Sequence, residues 1–331
     1  MLAGSYEDRE GCNGYQREVE TMWRTIERDE VPDILYHYCC VDTFMKIIEN
    51  KTIRLSNIFK MNDSSEVKHV LEYLSSDMLI KKYRKTPFEF KHGELKNEFA
   101  FDKVIYEIKR KVENFISYIA CFSKTDDDLG QWRAYGDDGK GVMIGFDGKK
   151  LFDFAQSNHS SFKLVDVSYS VEDCKRFIEI NVVDEILKAL KSAVKNGPYT
   201  YEMMVIINII DYLEAVLLTA VQFKHEAFIG EHEWRLCLVD TQINKTYSEW
   251  CLKHKDDKVY DNFLLKGMAF KYNGERIISY FDLCFTPDLI KCLTIGPRSK
   301  ILKDDIDFEM LLKINGFNNG SIEKSNIPYT G

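Results

Sequence analysis

Short β-rich runs recur along this chain at irregular intervals, and no regular alternation of strand and helix joins them. "DILYHYCC", "TIRLSN", "SYIACFS", "GVMIGFD", "FKLVDVSYS", "EWRLCLVD", "ERIISYFDL" and "IKCLTIGP" read as strands, separated by helical segments of very different length. A doubly wound parallel sheet needs a regular βαβ repeat. The pattern therefore predicts an α+β fold, a mixed or antiparallel central sheet with helices packed around it. Residues 1–30 read as a polar lead-in and 31–331 as a single domain, with a helical insertion at about 171–228 broken by turn residues near "NGPY". A chain of 331 residues can bury a substantial core.

The bulk chemistry excludes several classes. The apolar segment "MMVIINIIDYLEAVLLTAV", 203–221, carries Asp211 and Glu214, which would be costly in lipid, so a buried amphipathic helix is expected there and no membrane partner. A net charge of -8 gives no global attraction to nucleic acid. The basic runs "KKYRK" at 81–85 and "KRK" at 109–111 read as solvated helix faces, or as phosphate contacts if the chain is a nucleic-acid-directed enzyme. Nine cysteines with no C-x-x-C pair suggest reduced thiols in the cytoplasm. The polar N-terminal stretch has no signal-peptide pattern. There is no Gly-rich phosphate loop of either common type and no G-x-S-x-G. Cys251 and His254 form a C-x-x-H half-site without a second half, so no metal is expected.

Several local patterns carry chemistry. In "EAFIGEHEWRLCLVD", 226–240, read as strand throughout, Glu231, Glu233 and Arg235 share one face and His232, Trp234 and Leu236 the other. This is either an exposed charge ladder on an edge strand or the floor of a site. If buried, Arg235 pairs with one carboxylate, and two close carboxylates push one pKa upward. His37 in "LYHYCC" reads as a hydrogen-bonded structural histidine or as a neutral imidazole meeting a ligand hydroxyl. Asn62, Asp63 and Glu66 sit at a strand-to-helix junction, either as a cap or as an anion-favouring helix N-terminus. Ser123 ends a buried strand. Trp132 and Tyr135, three apart, share a face if their segment is one helical turn, and then either wall a planar ring or plug the core.

The order and spacing of "LYHY", "RLSNIFKMND" with Glu66, "IACFSK", "QWRAYGDDGKGVMIGF", "FKHEAFIGEHEWRL", "IGPR" and "SNIPY" resemble a family of uncharacterised bacterial domains of unknown function. The early His-Tyr strand, the Ser-ended middle strand and the late Glu-x-Glu strand look like the plan of mono-ADP-ribosyltransferases. That resemblance implies an ADP-ribosyltransferase-like sheet and an enzyme that uses NAD as substrate, cleaves its nicotinamide–ribose bond and passes ADP-ribose to a macromolecule. It implies that Glu233 is catalytic, that Glu231 orients the acceptor, that His37 holds the ribose and that Ser123 braces the pocket. Tyr38 and Asn62 join the cofactor-binding set. Trp132 or Tyr135 stacks on a ring of NAD, and Lys224 or Arg235 meets the pyrophosphate or pairs with a glutamate. "SKT" at 123–125 matches the family's S-T-S only in part, and the 171–228 insertion departs from its pattern. A bacterial defence or toxin role with a neutralising or regulatory protein partner is the expected setting. The alternative is a non-catalytic nucleotide-binding sensor in a defence or stress pathway.

Overall fold

A computed structural model describes residues 26–58, 73, 106, 117–159, 161–180, 221–238, 252–260, 262–318 and 320–330. The 203–220 apolar run, Asn62, Asp63, Glu66 and both basic runs named above lie outside them. Among the described residues no helix is long and apolar enough to cross a membrane.

Among the described residues the fold is α+β around a sheet of 12 strands. The strands are β1 (Ile34–Cys39), β2 (Thr52–Asn57), β3 (Tyr118–Ser123), β4 (Val142–Asp147), β5 (Phe162–Asp166), β6 (Glu233–Leu238), β7 (Lys258–Tyr260), β8 (Phe263–Leu265), β9 (Ala269–Tyr272), β10 (Ile277–Cys284), β11 (Ile290–Ile295) and β12 (Ser321–Lys324). The helices are α1 (Val41–Asn50), α2 (Leu129–Ala134), α3 (Gly148–Ser157), α4 (Val171–Ile178) and α5 (Ile306–Ile314). Neighbouring strands pair antiparallel except β11 with β12, so the sheet is mixed. The hairpin-like strands β7 to β9 and the terminal β12 are short, and their sequences give too few alternations to be recognised before folding.

Period-2 alternation gives the sheet two chemically different faces. On one, Leu35, Ile53, Leu55, Phe122, Ile144, Trp234, Leu236, Phe281 and Leu283 join the main core. Phe44, Ile47 and Ile48 of α1 and Leu151, Phe152 and Phe154 of α3 complete it. Asp147 caps α3 by accepting from Lys150 N at 3.0 Å, and Asp305 caps α5 through Asp307 N and Phe308 N. Asp42, a natural cap by residue type, instead sits in the first turn of α1 behind Cys40.

The opposite face is polar, and the registers make it continuous. Tyr36 pairs with Ser123, Ser123 with Glu233 and Cys121 with Arg235. Ser56 pairs with Ile119, and Arg54 with Asp282. Along one edge β3 is bonded to β6 for its whole length. Along the other, β1 meets it only at Ser123 and β2 only at Tyr118 and Ile119. The sheet forks there: β1 leads away to β4, β11 and β12, and β2 leads away to β10.

The segment 226–240 is not strand throughout. Glu226–Glu231 forms a 3-10 helix, His232 takes a left-handed backbone with φ 46°, and β6 begins only at Glu233. The left-handed His232 caps the 3-10 turn and resets the chain direction. Glu231 and His232 therefore do not belong to the two faces of one strand. Nor is β6 an edge: it lies between β3 and β5 and all six of its residues are buried.

Candidate functional site

The fork leaves the β3 backbone between its two partners without a ladder neighbour. The His37 ring fills part of that gap, with Nδ1 3.0 Å from the Cys121 carbonyl oxygen. A carbonyl only accepts, so Nδ1 carries the hydrogen and Nε2 is left as an acceptor. Burial pushes the His37 pKa down, which favours this neutral ring. Phe122 packs edge-on against it at 6.2 Å between centroids.

A cavity of about 680 Å³ runs through the fork. From the expected set it is lined by His37, Tyr38, Ser123, Tyr135, Lys224, Glu231, Glu233 and Arg235. The volume lies in the range of small-molecule and cofactor sites, roughly 300–1,000 Å³. Lys46, Arg54, Lys224, Arg235 and Lys271 face Glu231, Glu233 and Asp282 around it, a net formal charge of +2 in a chain of net charge -8.

Its floor is an ion cluster. Arg235 donates to both oxygens of Glu233, Nε to Oε1 at 2.8 Å and Nη2 to Oε2 at 3.0 Å. Their side chains are 1% and 5% exposed. Lys224 Nζ bridges the two glutamates, 2.5 Å from Glu231 Oε2 and 3.0 Å from Glu233 Oε2. Burial alone would raise the Glu233 carboxyl, but Arg235, Lys224 and a Cys121 hydrogen bond outweigh it and hold it at about 2. The expected upward push between two carboxylates is thus overturned at Glu233, because Arg235 pairs with it and Lys224 stands between it and Glu231. The Cys121 thiol is driven well up by burial and by the Glu233 charge, which keeps it protonated.

Backbone contacts fix this cluster. Glu233 N donates to the Tyr169 hydroxyl at 2.9 Å, and Val167 N donates to Glu233 O at 3.0 Å. Lys224 N donates to Ser168 O at 3.0 Å, which ties the segment bearing Lys224 to the strand edge. Ser123 Oγ donates to Glu231 O at 2.8 Å, so the serine at the end of β3 clasps the 3-10 turn. Tyr135 closes the site: its hydroxyl donates to Glu231 Oε1 at 2.7 Å. Burial and the Glu231 carboxylate together raise the Tyr135 pKa, so it remains a donor.

Trp132 and Tyr135 part company. Asp128 caps α2 through Gln131 N at 2.8 Å, and the helix ends at Tyr135. Trp132 points into the protein, fully buried, with Nε1 donating to Asp127 Oδ1 at 2.7 Å. Tyr38 packs edge-on against it at 4.9 Å, and Met143 completes the cluster. Trp132 is therefore a core plug under the 127–141 loop and is unavailable to stack on a ligand ring. Gly136 sits where a Cβ would lie 2.5 Å from the indole, which explains a glycine there. Tyr38 also spans the loop, donating to Thr125 O at 2.9 Å and accepting from Asp128 N at 3.0 Å.

The sequence reading missed the other wall of the cavity. Arg54 on β2 forms a two-point contact with Asp282 on β10, at 2.9 and 3.2 Å, and its guanidinium lies 3.7 Å over the Tyr280 ring. Lys271 and Asn273 extend that wall. The available signal was the polar alternation Thr52, Arg54, Ser56 in "TIRLSN", which marks a sheet face turned away from the core. Among the described residues no group of three or more His, Cys, Asp and Glu side chains is placed to hold a metal ion. The expected half-site residue His254 is buried and packs edge-on to Phe281 at 6.3 Å.

Residues 131–236 match the model of a family described as protein of unknown function (DUF2971). That segment holds Trp132, Tyr135, Lys224, Glu231, Glu233 and Arg235, so most of the ion cluster and its cover falls within the family's own span. No curated protein and no solved structure matches the chain.

Proposed function

We propose an NAD-consuming glycosyl transfer at the forked cleft of this chain, whose residues 131–236 match the model of a family of unknown function. The nicotinamide–ribose bond breaks with its electron pair leaving on nicotinamide, and a nucleophile of a macromolecular acceptor bonds to the same ribose carbon as its proton is lost to solvent or a base. The observation that carries this reading is the convergence of a neutral, hydroxyl-accepting His37 and a permanently ionised Glu233 on one cavity large enough for a nucleotide.

The chemistry requires negative charge beside a sugar that becomes cationic. Glu233 supplies it at fixed position: at a pKa of about 2 it stays ionised throughout the neutral range. Its two oxygens are already engaged, so it acts through its charge. Glu231 is the more exposed carboxylate, 17% against 5% for its neighbour, and Tyr135 and Lys224 hold it at the cavity edge. In the proposed reaction it orients a substrate hydroxyl. His37 Nε2 accepts from a ribose hydroxyl, and Ser123 keeps Glu231 in place through the backbone.

The test is incubation of the purified protein with NAD labelled separately in the nicotinamide and adenylate halves, in the presence of a cell extract as acceptor. Release of nicotinamide with transfer of adenylate label supports the reading, and loss of both in Glu231→Gln ties it to this cleft. Intact NAD after prolonged incubation would remove it. A second reading, a non-catalytic nucleotide sensor, is favoured by one specific feature: Arg235 and Lys224 take up both oxygens of Glu233. It predicts nucleotide binding with no bond cleavage.

A further inference from the structure

The ion cluster at the fork leaves no cation for a phosphate. Arg235 spends its Nε and Nη2 on Glu233 and Nη1 on the Val221 carbonyl at 3.2 Å. Lys224 lies between two carboxylates and is 7% exposed. The sequence expectation that one of these meets a pyrophosphate has no donor to draw on. The cations that remain around the cavity are Lys46 on α1 and, on the opposite wall, Arg54 and Lys271.

There, the registers place Arg54 across from Asp282, and Lys271 across from Ile278, on one face of the β2–β10–β9 wing. Asp282 and Ile278 are two strand steps apart on that face, so both cations face the same cleft. Arg54 binds Asp282 through Nε and Nη2 and is held flat by Tyr280, which leaves the Nη1 hydrogens with no acceptor among the described residues. Lys271 has no ion-pair partner among the described residues. Its pKa is lowered by burial and by the Arg54 charge, as expected for two cations sharing one carboxylate. Asn273 adds a third donor. Its Oδ1 accepts from Glu275 N at 3.1 Å and Arg276 N at 2.9 Å, so the orientation of the amide is fixed and Nδ2 keeps both hydrogens for the cavity it lines.

We propose that Arg54, Lys271 and Asn273 form an anion subsite that holds the diphosphate of a nucleotide, with its sugar directed toward His37 and Glu231. The site combines the remaining Nη1 donor of a fixed guanidinium, a point charge and a neutral amide, a donor set that matches phosphate oxygens. It also accounts for the +2 balance around the cavity, because a diphosphate brings the opposite charge. The assignment rests on the nucleotide reading of the cleft, and it is independent of whether a bond is cleaved there.

The experiment is calorimetric titration of the full chain with ADP, with adenosine and with a short 5′-phosphorylated single-stranded oligonucleotide. ADP is expected to bind at least tenfold more tightly than adenosine, with an affinity that falls as salt rises. Lys271→Met is expected to weaken ADP at least tenfold and leave adenosine unchanged. Asn273→Asp still accepts both turn hydrogen bonds but replaces two donors with charge, and it should weaken ADP by a similar factor. Both positions are at the cavity wall, so melting temperatures should stay at the wild-type value. Equal affinity for ADP and adenosine, or an unchanged ADP affinity in both variants, overturns the subsite. An oligonucleotide that binds tighter than ADP overturns the mononucleotide assignment. ADP binding without NAD cleavage defeats the transfer reaction and leaves this subsite standing. NAD cleavage with Lys271→Met at wild-type affinity does the reverse.

Discussion

Replacing Arg235 with methionine should destabilise the protein in a manner that depends on pH. The Glu233 carboxyl falls from an ordinary 4.5 to about 2 in the folded chain. At about 1.4 kcal/mol per unit, this corresponds to roughly 3 kcal/mol of stability at neutral pH. That is close to the 3–5 kcal/mol typical of stranding one partner of a buried pair. The sign follows from the depressed pKa. The contribution is complete above the unfolded value of 4.5 and is lost as pH falls through the folded value near 2. Arg235→Met should therefore cost about 3 kcal/mol at pH 7, and the difference from wild type should shrink by half or more by pH 3. Urea unfolding of both proteins at a series of pH values measures it. Adding Glu233→Gln to Arg235→Met should recover part of the loss, since no unpaired charge then remains buried. A loss below about 0.5 kcal/mol at pH 7, or one of equal size at pH 7 and pH 3, would refute the ionic account of the cleft floor.

Glu231→Gln should fold normally, because its carboxylate is at the cavity edge, and should lose on the order of 100-fold in NAD turnover, read by nicotinamide release beside a thermal melt. Trp132→Ala should cost about 3–5 kcal/mol through the void left under the 127–141 loop, with ligand affinity in any surviving folded fraction within threefold of wild type, as befits a residue that touches no ligand. His37 has a lowered pKa, so the unfolded chain binds the proton more readily and stability declines as pH falls below the ordinary histidine value of about 6.5. His37→Gln should flatten that part of the pH–stability curve between pH 7 and 5, and an unchanged slope would remove the buried neutral ring from the account.

The fold class was legible because it depends on patterns longer than any single strand. Irregular spacing of β-rich runs argued against a doubly wound sheet, and the β-rich runs at 34–39, 118–123 and 142–147 became β1, β3 and β4. The approach of the strands bearing His37, Ser123 and Glu233 was expected from polar residues in apolar strands, whereas Tyr135, Lys224 and Glu231 reach the same cavity from a helix end, a connecting segment and a 3-10 turn. The fork itself was not legible, since it depends on β1 and β2 each meeting β3 for one or two residues. The reading of 226–240 failed where local backbone geometry overrode alternation: "IGEH" supports a 3-10 turn and an αL residue, which lifts Glu231 off the strand. For Trp132 the sequence left a ring wall and a core plug both open, because an i, i+3 spacing on so short a helix says little once the second residue is the cap, and the structure shows the core plug. Arg54 and Lys271 went unnoticed because only the β2–β10–β9 pairing brings them to one face, with Asp282 228 residues from Arg54, and neither lies in a conspicuous motif.

The most direct test is a crystal structure of the protein soaked or grown with NAD or a non-hydrolysable analogue. Density for the nicotinamide ribose between β1 and β3, within hydrogen-bond reach of His37 Nε2 and Glu231, is the predicted result. Well-ordered ligand anywhere other than the fork, or an empty fork at saturating ligand, would contradict the account.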